Sequence, residues 1–198
     1  MCERLVLTGD SITAWGRADP ADPHDLGTGY VSLLARERLD GLEVLNTGIG
    51  GDRLADLAAR WEKDVLALEP DAVSVYIGIN DTWRHVDSGL DSPVDRFEEE
   101  YRSLIEPLAA SGTTTVLVSP FVLPAPGEDR DWEGDLGPRA AAIERLAADT
   151  GSRLVRLQEP MTRLAALTSP SRVALDGVHP TMLGHALIAD LWWDAWTR

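Results

Sequence analysis

Three residues of the sequence have the side chains that an acyl-transfer site requires: Ser11, Asp176 and His179. A serine hydroxyl becomes a strong nucleophile when a histidine removes its proton, and a carboxylate bonded to that histidine orients the ring. Asp176 and His179 lie three positions apart, a spacing at which the two side chains can form a hydrogen bond within a turn. Pro180 suits the first turn of a following helix and would fix the position of His179. Taken alone, the segment is equally typical of an aspartate-capped helix with a surface histidine.

Two further features could stabilise negative charge on a reacting oxygen. Asn80 carries a side-chain amide that can donate a hydrogen bond, and Gly50 and Gly51 have backbone N–H groups that no side chain shields. Each is also common in ordinary turns, as is a serine directly after a strand. A nucleophile, its base, the residue that orients the base and two oxyanion donors nevertheless complete the parts of an acyl-transfer site. The combination predicts a site that no single motif would predict.

The predicted secondary structure alternates short apolar runs rich in β-branched residues with longer helical patterns. The predicted strands cover residues 4–8, 42–45, 72–77, 113–119 and 153–157. The predicted helices cover residues 29–39, 52–68, 93–110, 138–149 and 180–196. Asp52 is the predicted N-cap of the second helix. Residues 78–91 and 120–137 are predicted to be loops.

This alternation predicts an α/β fold in which one parallel sheet of about five strands carries helices on both faces. A chain of 198 residues has the length of one domain, and we expect residues 1–198 to form it. In open parallel sheets the ligand binds outside the carboxyl ends of the strands. Ser11, Gly51 and Asn80 each follow a predicted strand closely, so we expect them to meet at that edge although they are distant in sequence.

The motifs resemble those of the GDSL/SGNH hydrolase family. Gly-Asp-Ser-Ile at residues 9–12, Gly-Ile-Asn-Asp at residues 78–81 and Asp-x-x-His-Pro at residues 176–180 occur in the family's order, and the resemblance extends over almost the whole chain. It implies the flavodoxin-like three-layer sandwich of SGNH hydrolases. It also implies that Ser11 is the nucleophile, that His179 is the general base and then the general acid, and that Asp176 orients His179.

The same resemblance implies three oxyanion donors, namely the backbone N–H groups of Ser11 and Gly51 and the side-chain amide of Asn80. Gly51 is preferred because the family's glycine precedes the polar residue that opens the next helix, here Asp52, and Gly50 stays the alternative. No cofactor is implied. We also expect no metal, since the sequence contains neither an HExxH motif nor a Cys/His cluster.

Residues 26–31, 59–65 and 77–84 resemble a branch of intracellular bacterial members that includes carbohydrate acetylesterases of the acetylxylan esterase type. This resemblance implies a serine esterase that removes acetyl or other short acyl groups from a small-molecule ester or an acetylated saccharide. Gly50 and Leu175 depart from the serine and tryptophan that relatives often carry, which leaves the sugar specificity open.

Two alternatives to this function stay open. Within the same chemistry, the alternative is a broad-specificity lipolytic esterase, thioesterase or lysophospholipase. From a different class, the alternative is a non-catalytic anion- or flavin-binding module. Asp10 argues against that module because its carboxylate would repel a phosphate group.

The composition excludes several classes of partner and bond. The 18 basic and 33 acidic residues leave a net charge of −15, which repels phosphate backbones and anionic membranes, so we expect neither nucleic acid nor membrane as a partner. Cys2 is the only cysteine, which rules out an internal disulfide. No apolar run approaches the roughly 20 residues that span a bilayer, and no signal-peptide pattern opens the sequence. These features predict a cytoplasmic protein.

Three tryptophans lie near the predicted site in sequence. Trp15, Trp83 and Trp132 could stack on a sugar ring at the rim of the site, although ordinary packing is the more common role of such residues. The acidic loop at residues 120–137 is long for a connection, and we expect it to shape the same rim.

The remaining candidates are expected to be structural. Asp10 and Asp81 are interpreted as loop hydrogen-bonders, and His185 as a structural residue of the last helix. Trp193 lies off the helix face that two neighbouring tryptophans share. A second subunit would cover its ring, so we expect a homo-oligomer.

Overall fold

The centre of the structure is a parallel β-sheet with the strand order β2-β1-β3-β4-β5. The coordinates are a computed structural model and describe residues 3–124 and 130–198. Within these residues the strands are β1 (Arg4–Gly9), β2 (Glu43–Asn46), β3 (Ala72–Tyr76), β4 (Thr114–Val118) and β5 (Arg153–Val155). Each pair of neighbouring strands is parallel. The order is that of flavodoxin-like sheets, in which the chain reverses its direction across the sheet at β1 and β3.

Helices cover both faces of this sheet, which confirms the predicted three-layer α/β sandwich. The helices are α1 (Tyr30–Glu37), α2 (Leu54–Asp64), α3 (Ile79–Ser88), α4 (Val94–Ser111), α5 (Trp132–Thr150), α6 (Gln158–Leu167), α7 (Pro170–Val173) and α8 (Met182–Trp196), and a 3₁₀ turn at Leu66–Leu68 follows α2. Successive strand residues point to opposite faces. Leu7 and Val118 therefore pack with α1 and α8, whereas Val75 and Leu117 pack with α2 and α4.

A hydrogen bond anchors α8 to the sheet within the core that Leu7 and Val118 share with α1 and α8. The indole Nε1–H of Trp192, in α8, donates to the hydroxyl of Ser74, in β3, at 2.8 Å, and both residues are fully buried. The neighbouring Trp193 is partly buried and packs against the same core. Part of its ring is thus covered within the chain, and the homo-oligomer stays a prediction.

The prediction of a loop at residues 78–91 is wrong, because α3 lies within this segment. Gly78 adopts a φ of +122°, which L side chains rarely adopt, and this lets the chain pass from β3 almost directly into the helix. Gly89, at a φ of +64°, ends the helix. The Asn and Asp residues that resembled a turn are therefore the first residues of a helix at the carboxyl edge of the sheet.

The predicted loop at residues 120–137 is shorter than expected, since α5 begins at Trp132. The carboxylate of Asp131 accepts a hydrogen bond from the backbone N–H of Gly134 at 2.9 Å and caps this helix. Residues 125–129 of the loop, and Cys2, lie outside the described residues. Helices α6 and α7 were also not predicted. In the part of the chain that the structure describes, no helix is both long and apolar enough to cross a membrane.

Replacing Trp192 by phenylalanine tests the anchor between α8 and β3. The change keeps an aromatic ring in the core but removes the indole N–H. The buried Ser74 hydroxyl then loses the hydrogen bond that it accepts from Trp192. We expect the free energy of unfolding, measured by urea denaturation, to fall by about 1–3 kcal/mol. Trp193→Phe is the matched control. An equal loss for both variants would contradict a specific role for the Trp192 hydrogen bond.

Candidate active site

Ser11 lies on a tight turn directly after β1. The Asp10 carbonyl accepts a hydrogen bond from the N–H of Ala14 at 2.9 Å, and the Asp10 carboxylate accepts one from the N–H of Ile12 at 3.0 Å. These two bonds fold the chain around Ser11, which is partly exposed. Its Oγ lies 3.0 Å from Nε2 of His179. The predicted nucleophile and base are therefore within hydrogen-bond distance.

Asp176 holds His179 through both the ring and the main chain. One carboxylate oxygen accepts from the backbone N–H groups of Val178 and His179 at 3.0 and 2.8 Å, and the other lies 2.7 Å from Nδ1 of His179. Partial burial acts to raise the pKa of Asp176, but these hydrogen bonds outweigh it and lower the pKa below its ordinary value. With Nδ1–H directed at the carboxylate, Nε2 is free to accept the Ser11 proton.

The loop that carries these two residues is closed by backbone contacts. Ala174 and Pro180 form an antiparallel bridge, and the N–H of Leu175 donates to the His179 carbonyl at 2.8 Å. Gly177 adopts a φ of +88°, and a Cβ built on it would lie 2.5 Å from the carbonyl oxygen of Leu123. Only glycine fits this close approach without strain, because a side chain would push the loop away from the segment around Leu123.

The glycine pair and Asn80 follow β2 and β3, the two strands that lie on either side of β1 in the sheet. The Asn80 amide donates one hydrogen bond to the Asp52 carbonyl at 3.0 Å, which orients the side chain and leaves its second N–H available. Gly51 adopts a φ of +85°. Gly50 lies next to Ser11, since a Cβ built on Gly50 would be 3.9 Å from Cβ of Ser11. Among the described residues, the N–H groups of Ser11, Gly50 and Gly51 all have no hydrogen-bond acceptor, and Gly50 stays the alternative to Gly51.

Asp52 does not cap α2 as predicted. The N-cap position is held by Arg53, and the Asp52 carboxylate instead accepts from Nε of Arg60 at 2.7 Å. The two side chains are 12% and 13% exposed. Sequence reasoning did not identify Arg60, which also donates to the carbonyls of Thr47 and Gly9 at 2.7 and 3.1 Å. Arg60 thus joins the carboxyl ends of β1 and β2 behind the site.

Asp10 and Asp81 are hydrogen-bonded as predicted, but they are buried. Asp10 is fully buried, and this burial raises its pKa to about 7 even though the Ile12 N–H bond acts to lower it. Asp81 is 5% exposed and accepts from the backbone N–H of Leu54 at 3.0 Å. Burial raises the pKa of Asp81 to about 6. Neither degree of burial could be predicted from the sequence.

Two of the three predicted rim tryptophans lie close to the His179 ring. The centroids of Trp15 and Trp83 lie 6.1 and 5.9 Å from that of the imidazole, and both tryptophans are partly exposed. Trp132 is only 2% exposed and packs edge-on against Trp83 at 5.8 Å. It also lines a cavity of about 410 Å³ beside Pro120 and Val122, so its rim role stays a prediction.

His185 has the structural environment that was expected. It is fully buried, and its Nδ1 accepts a hydrogen bond from the backbone N–H of Tyr30 at the start of α1, at 3.2 Å. Burial lowers the pKa of His185 to about 4, with a smaller contribution from His179. A neutral imidazole is required here, because a protonated Nδ1 could not accept that hydrogen bond.

A family profile and a curated relative each match most of the chain. The profile of the GDSL-like Lipase/Acylhydrolase family matches residues 7–187. The chain belongs to this family. An acetylxylan esterase from Geobacillus stearothermophilus is 35% identical over 200 aligned positions, which cover 94% of this chain and 90% of that protein.

Solved structures of similar proteins superpose over nearly the whole chain. Axe2, an acetylxylan esterase from Geobacillus stearothermophilus, has a TM-score of 0.87 at 33% identity and covers 98% of this chain and 93% of its own. LAE5, an alpha/beta hydrolase enzyme from the metagenome of Lake Arreo in Spain, has a TM-score of 0.88 at 31% identity, with 98% and 94% covered. Two further Axe2 structures are catalytic mutants, in which an aspartate and a serine are replaced by alanine. This GDSL-family chain is a carboxylic ester hydrolase.

The buried carboxyl of Asp10 should make stability depend on pH. Its folded-state pKa of about 7 lies above the unfolded value of 3.8, so between these values the folded protein holds a proton that the unfolded chain has lost. Stability therefore falls as the pH rises through this window. The variant Asp10→Asn removes this pH dependence. The free energy of unfolding of the variant minus that of the wild type should therefore rise by on the order of 4 kcal/mol from pH 4 to pH 8.

Urea unfolding at several pH values measures this difference, and the exposed Asp40→Asn serves as the control. A difference between Asp10→Asn and the wild type that stays constant with pH would show that Asp10 does not retain its proton.

Proposed function

We propose that this protein is a serine esterase that removes acetyl groups from acetylated carbohydrates through an acyl-Ser11 intermediate. The observation that carries the proposal is the continuous hydrogen-bonded series from Ser11 Oγ to His179 at 3.0 Å and from His179 to Asp176 at 2.7 Å. The acetylxylan esterase relatives support acetyl as the acyl group and a saccharide as the alcohol.

In the first half of the reaction, His179 Nε2 takes the Ser11 proton while Oγ attacks the ester carbonyl carbon. The carbonyl π electrons move to oxygen and form a tetrahedral oxyanion. When this intermediate collapses, the C–O bond to the sugar breaks and His179 gives its proton to the leaving alkoxide. Asp176 keeps Nδ1 protonated and stabilises the imidazolium during these steps.

In the second half, water takes the place of the sugar alcohol. His179 removes a proton from the water as it attacks the acetyl-Ser11 carbonyl, and then returns that proton to Ser11 Oγ as acetic acid leaves and ionises in solution. The oxyanion of both tetrahedral intermediates would accept hydrogen bonds from the N–H groups of Ser11 and Gly51 and from the Asn80 amide. Donors that are in place before the substrate arrives stabilise charge strongly, and the bond from the Asn80 amide to the Asp52 carbonyl supports this arrangement.

The surroundings of the site favour a small, polar substrate. The partly exposed rings of Trp15 and Trp83 near His179 offer faces on which a sugar can stack. The net charge of −15 disfavours polyanionic substrates. The resemblance to intracellular members supports action in the cytoplasm, and the family match to residues 7–187 supports one hydrolase domain over residues 1–198.

Ser11→Ala should abolish ester hydrolysis, because no other described nucleophile lies within hydrogen-bond distance of His179. The assay is release of p-nitrophenol from acetate, butyrate and octanoate esters, followed by acetate release from acetylated xylo-oligosaccharides. We expect a Ser11-dependent rate that is highest with acetate and falls steeply with chain length. Wild-type rates in Ser11→Ala would refute the mechanism, and a maximum at octanoate would favour a lipolytic esterase.

Asn80→Ala should lower kcat by about 10²–10³ with little change in KM, since an oxyanion donor acts on the transition state more than on the bound ester. Steady-state kinetics with p-nitrophenyl acetate measure both constants. Thr82→Ala, two positions further along α3, is the control for disturbing this helix. Unchanged kcat in Asn80→Ala would exclude Asn80 from the oxyanion hole.

A further inference from the structure

Two consecutive residues of α3 hold the segment that joins Gly51 to α2. The Asn80 amide donates to the Asp52 carbonyl, and the Asp81 carboxylate accepts from the N–H of Leu54, both at 3.0 Å. Leu54 is the first residue of α2, and Gly51 lies three positions before it. The turn that carries Gly51 is thus attached to α3 by two hydrogen bonds from neighbouring positions.

The carboxylate of Asp81 supplies a hydrogen-bond acceptor that the N-cap residue of α2 does not provide. The first turn of a helix has backbone N–H groups without intrahelical acceptors, and a side-chain oxygen at the N-cap usually accepts from one of them. The N-cap of α2 is Arg53, whose guanidinium only donates hydrogen bonds. Asp81 therefore provides a negative oxygen from another helix, where the α2 dipole also favours negative charge.

Asp81 is held in an enclosed and charged environment. Burial raises its pKa to about 6, while the Leu54 N–H bond and the charges of Arg139 and Arg53 act to lower it. It lines a cavity of about 260 Å³ whose other charged residues are Arg53, Asp91, Arg96 and Glu100. At pH 8 the group is a carboxylate, and the hydrogen bond that the structure gives it is made to the backbone of α2, not to Ser11 or His179.

We propose that Asp81 is a positioning residue for the oxyanion hole, holding the start of α2 so that the Gly51 N–H stays aligned with the Asn80 amide. The proposal rests on the proposed function, in which these two groups bind the oxyanion. A displacement of about 1 Å at such a site can lower the rate by roughly 100-fold. Since the oxyanion forms only in the transition state, the loss should appear in kcat and not in KM.

The test compares three replacements of Asp81 at pH 8 with p-nitrophenyl acetate as substrate. Asp81→Ala removes the acceptor and should lower kcat by about 10- to 100-fold, with KM changed by less than about threefold. Asp81→Asn keeps an acceptor oxygen in the same place and should recover most of that loss. Asp81→Glu keeps the charge but moves its oxygens by one methylene, and we expect an intermediate kcat.

Asp71→Ala is the matched control for loss of a carboxylate that binds backbone N–H groups. Asp71 accepts from the N–H groups of Glu3 and Arg4 at 2.8 and 2.9 Å, at the amino end of β1 and so at the opposite edge of the sheet. We expect this variant to lose stability in urea unfolding without a change in kcat. A purely structural role of Asp81 would give the same result for Asp81→Ala.

The outcomes separate this inference from the function on which it rests. Wild-type kcat in Asp81→Ala, or a change confined to KM, would overturn the positioning role. An Asp81→Asn variant as slow as Asp81→Ala would also overturn the positioning role. The rate would then depend on the charge of residue 81 and not on the position of its acceptor oxygen. If Asp81→Ala does not fold, Asp81→Glu decides by the same split between kcat and KM. Activity in Ser11→Ala, assayed alongside, would overturn the function and this inference together.

Discussion

The hydrogen bond between Ser11 Oγ and His179 Nε2 joins residues 168 positions apart, and its length depends on the packing of the whole chain. Ser11 is attached to β1, which pairs with β3 so that Leu7 lies opposite Ser74. Ser74 accepts the indole hydrogen bond of Trp192, and Trp192 fixes α8, which follows the His179 loop. This buried hydrogen bond between the sheet and the last helix is therefore one of the contacts that connect the two halves of the site.

The second constraint on the site is its concentration of carboxyl groups. Asp10, Asp52 and Asp81 are close enough that the latter two help to raise the pKa of Asp10. Buried charges of one sign are unfavourable unless they are neutralised by a partner or a proton. Arg60 neutralises Asp52 and at the same time binds two strand-end carbonyls, and the charge of Arg139 acts on Asp81. Arginines on α2 and α5 thus offset part of the negative charge at this edge of the sheet.

Sequence reasoning succeeded where a local signal matched the final structure. The strands were predicted within one or two residues, because a short apolar run between turn residues is typical of a buried parallel strand. Helix α3 was missed because its first residues, Asn80 and Asp81, are typical of turns. Their helical conformation depends on contacts with the start of α2 and on Gly78, none of which leaves a periodic pattern. The Asp52 cap was wrong for a similar reason, since Arg60 competes for that carboxylate from two turns further along.

The amino-acid sequence by itself determined the residue types of the candidate site, their order along the chain and the sheet edge at which they meet. These follow from local patterns of apolar residues and from the rule that parallel strands place their carboxyl ends together. Only the tertiary structure decided the 3.0 Å contact of Ser11 with His179, the burial of Asp10 and Asp81, and the edge-on packing of Trp132 against Trp83. Distances and burial arise from the packing of elements that are far apart in the chain, and that packing depends on all the side chains between them.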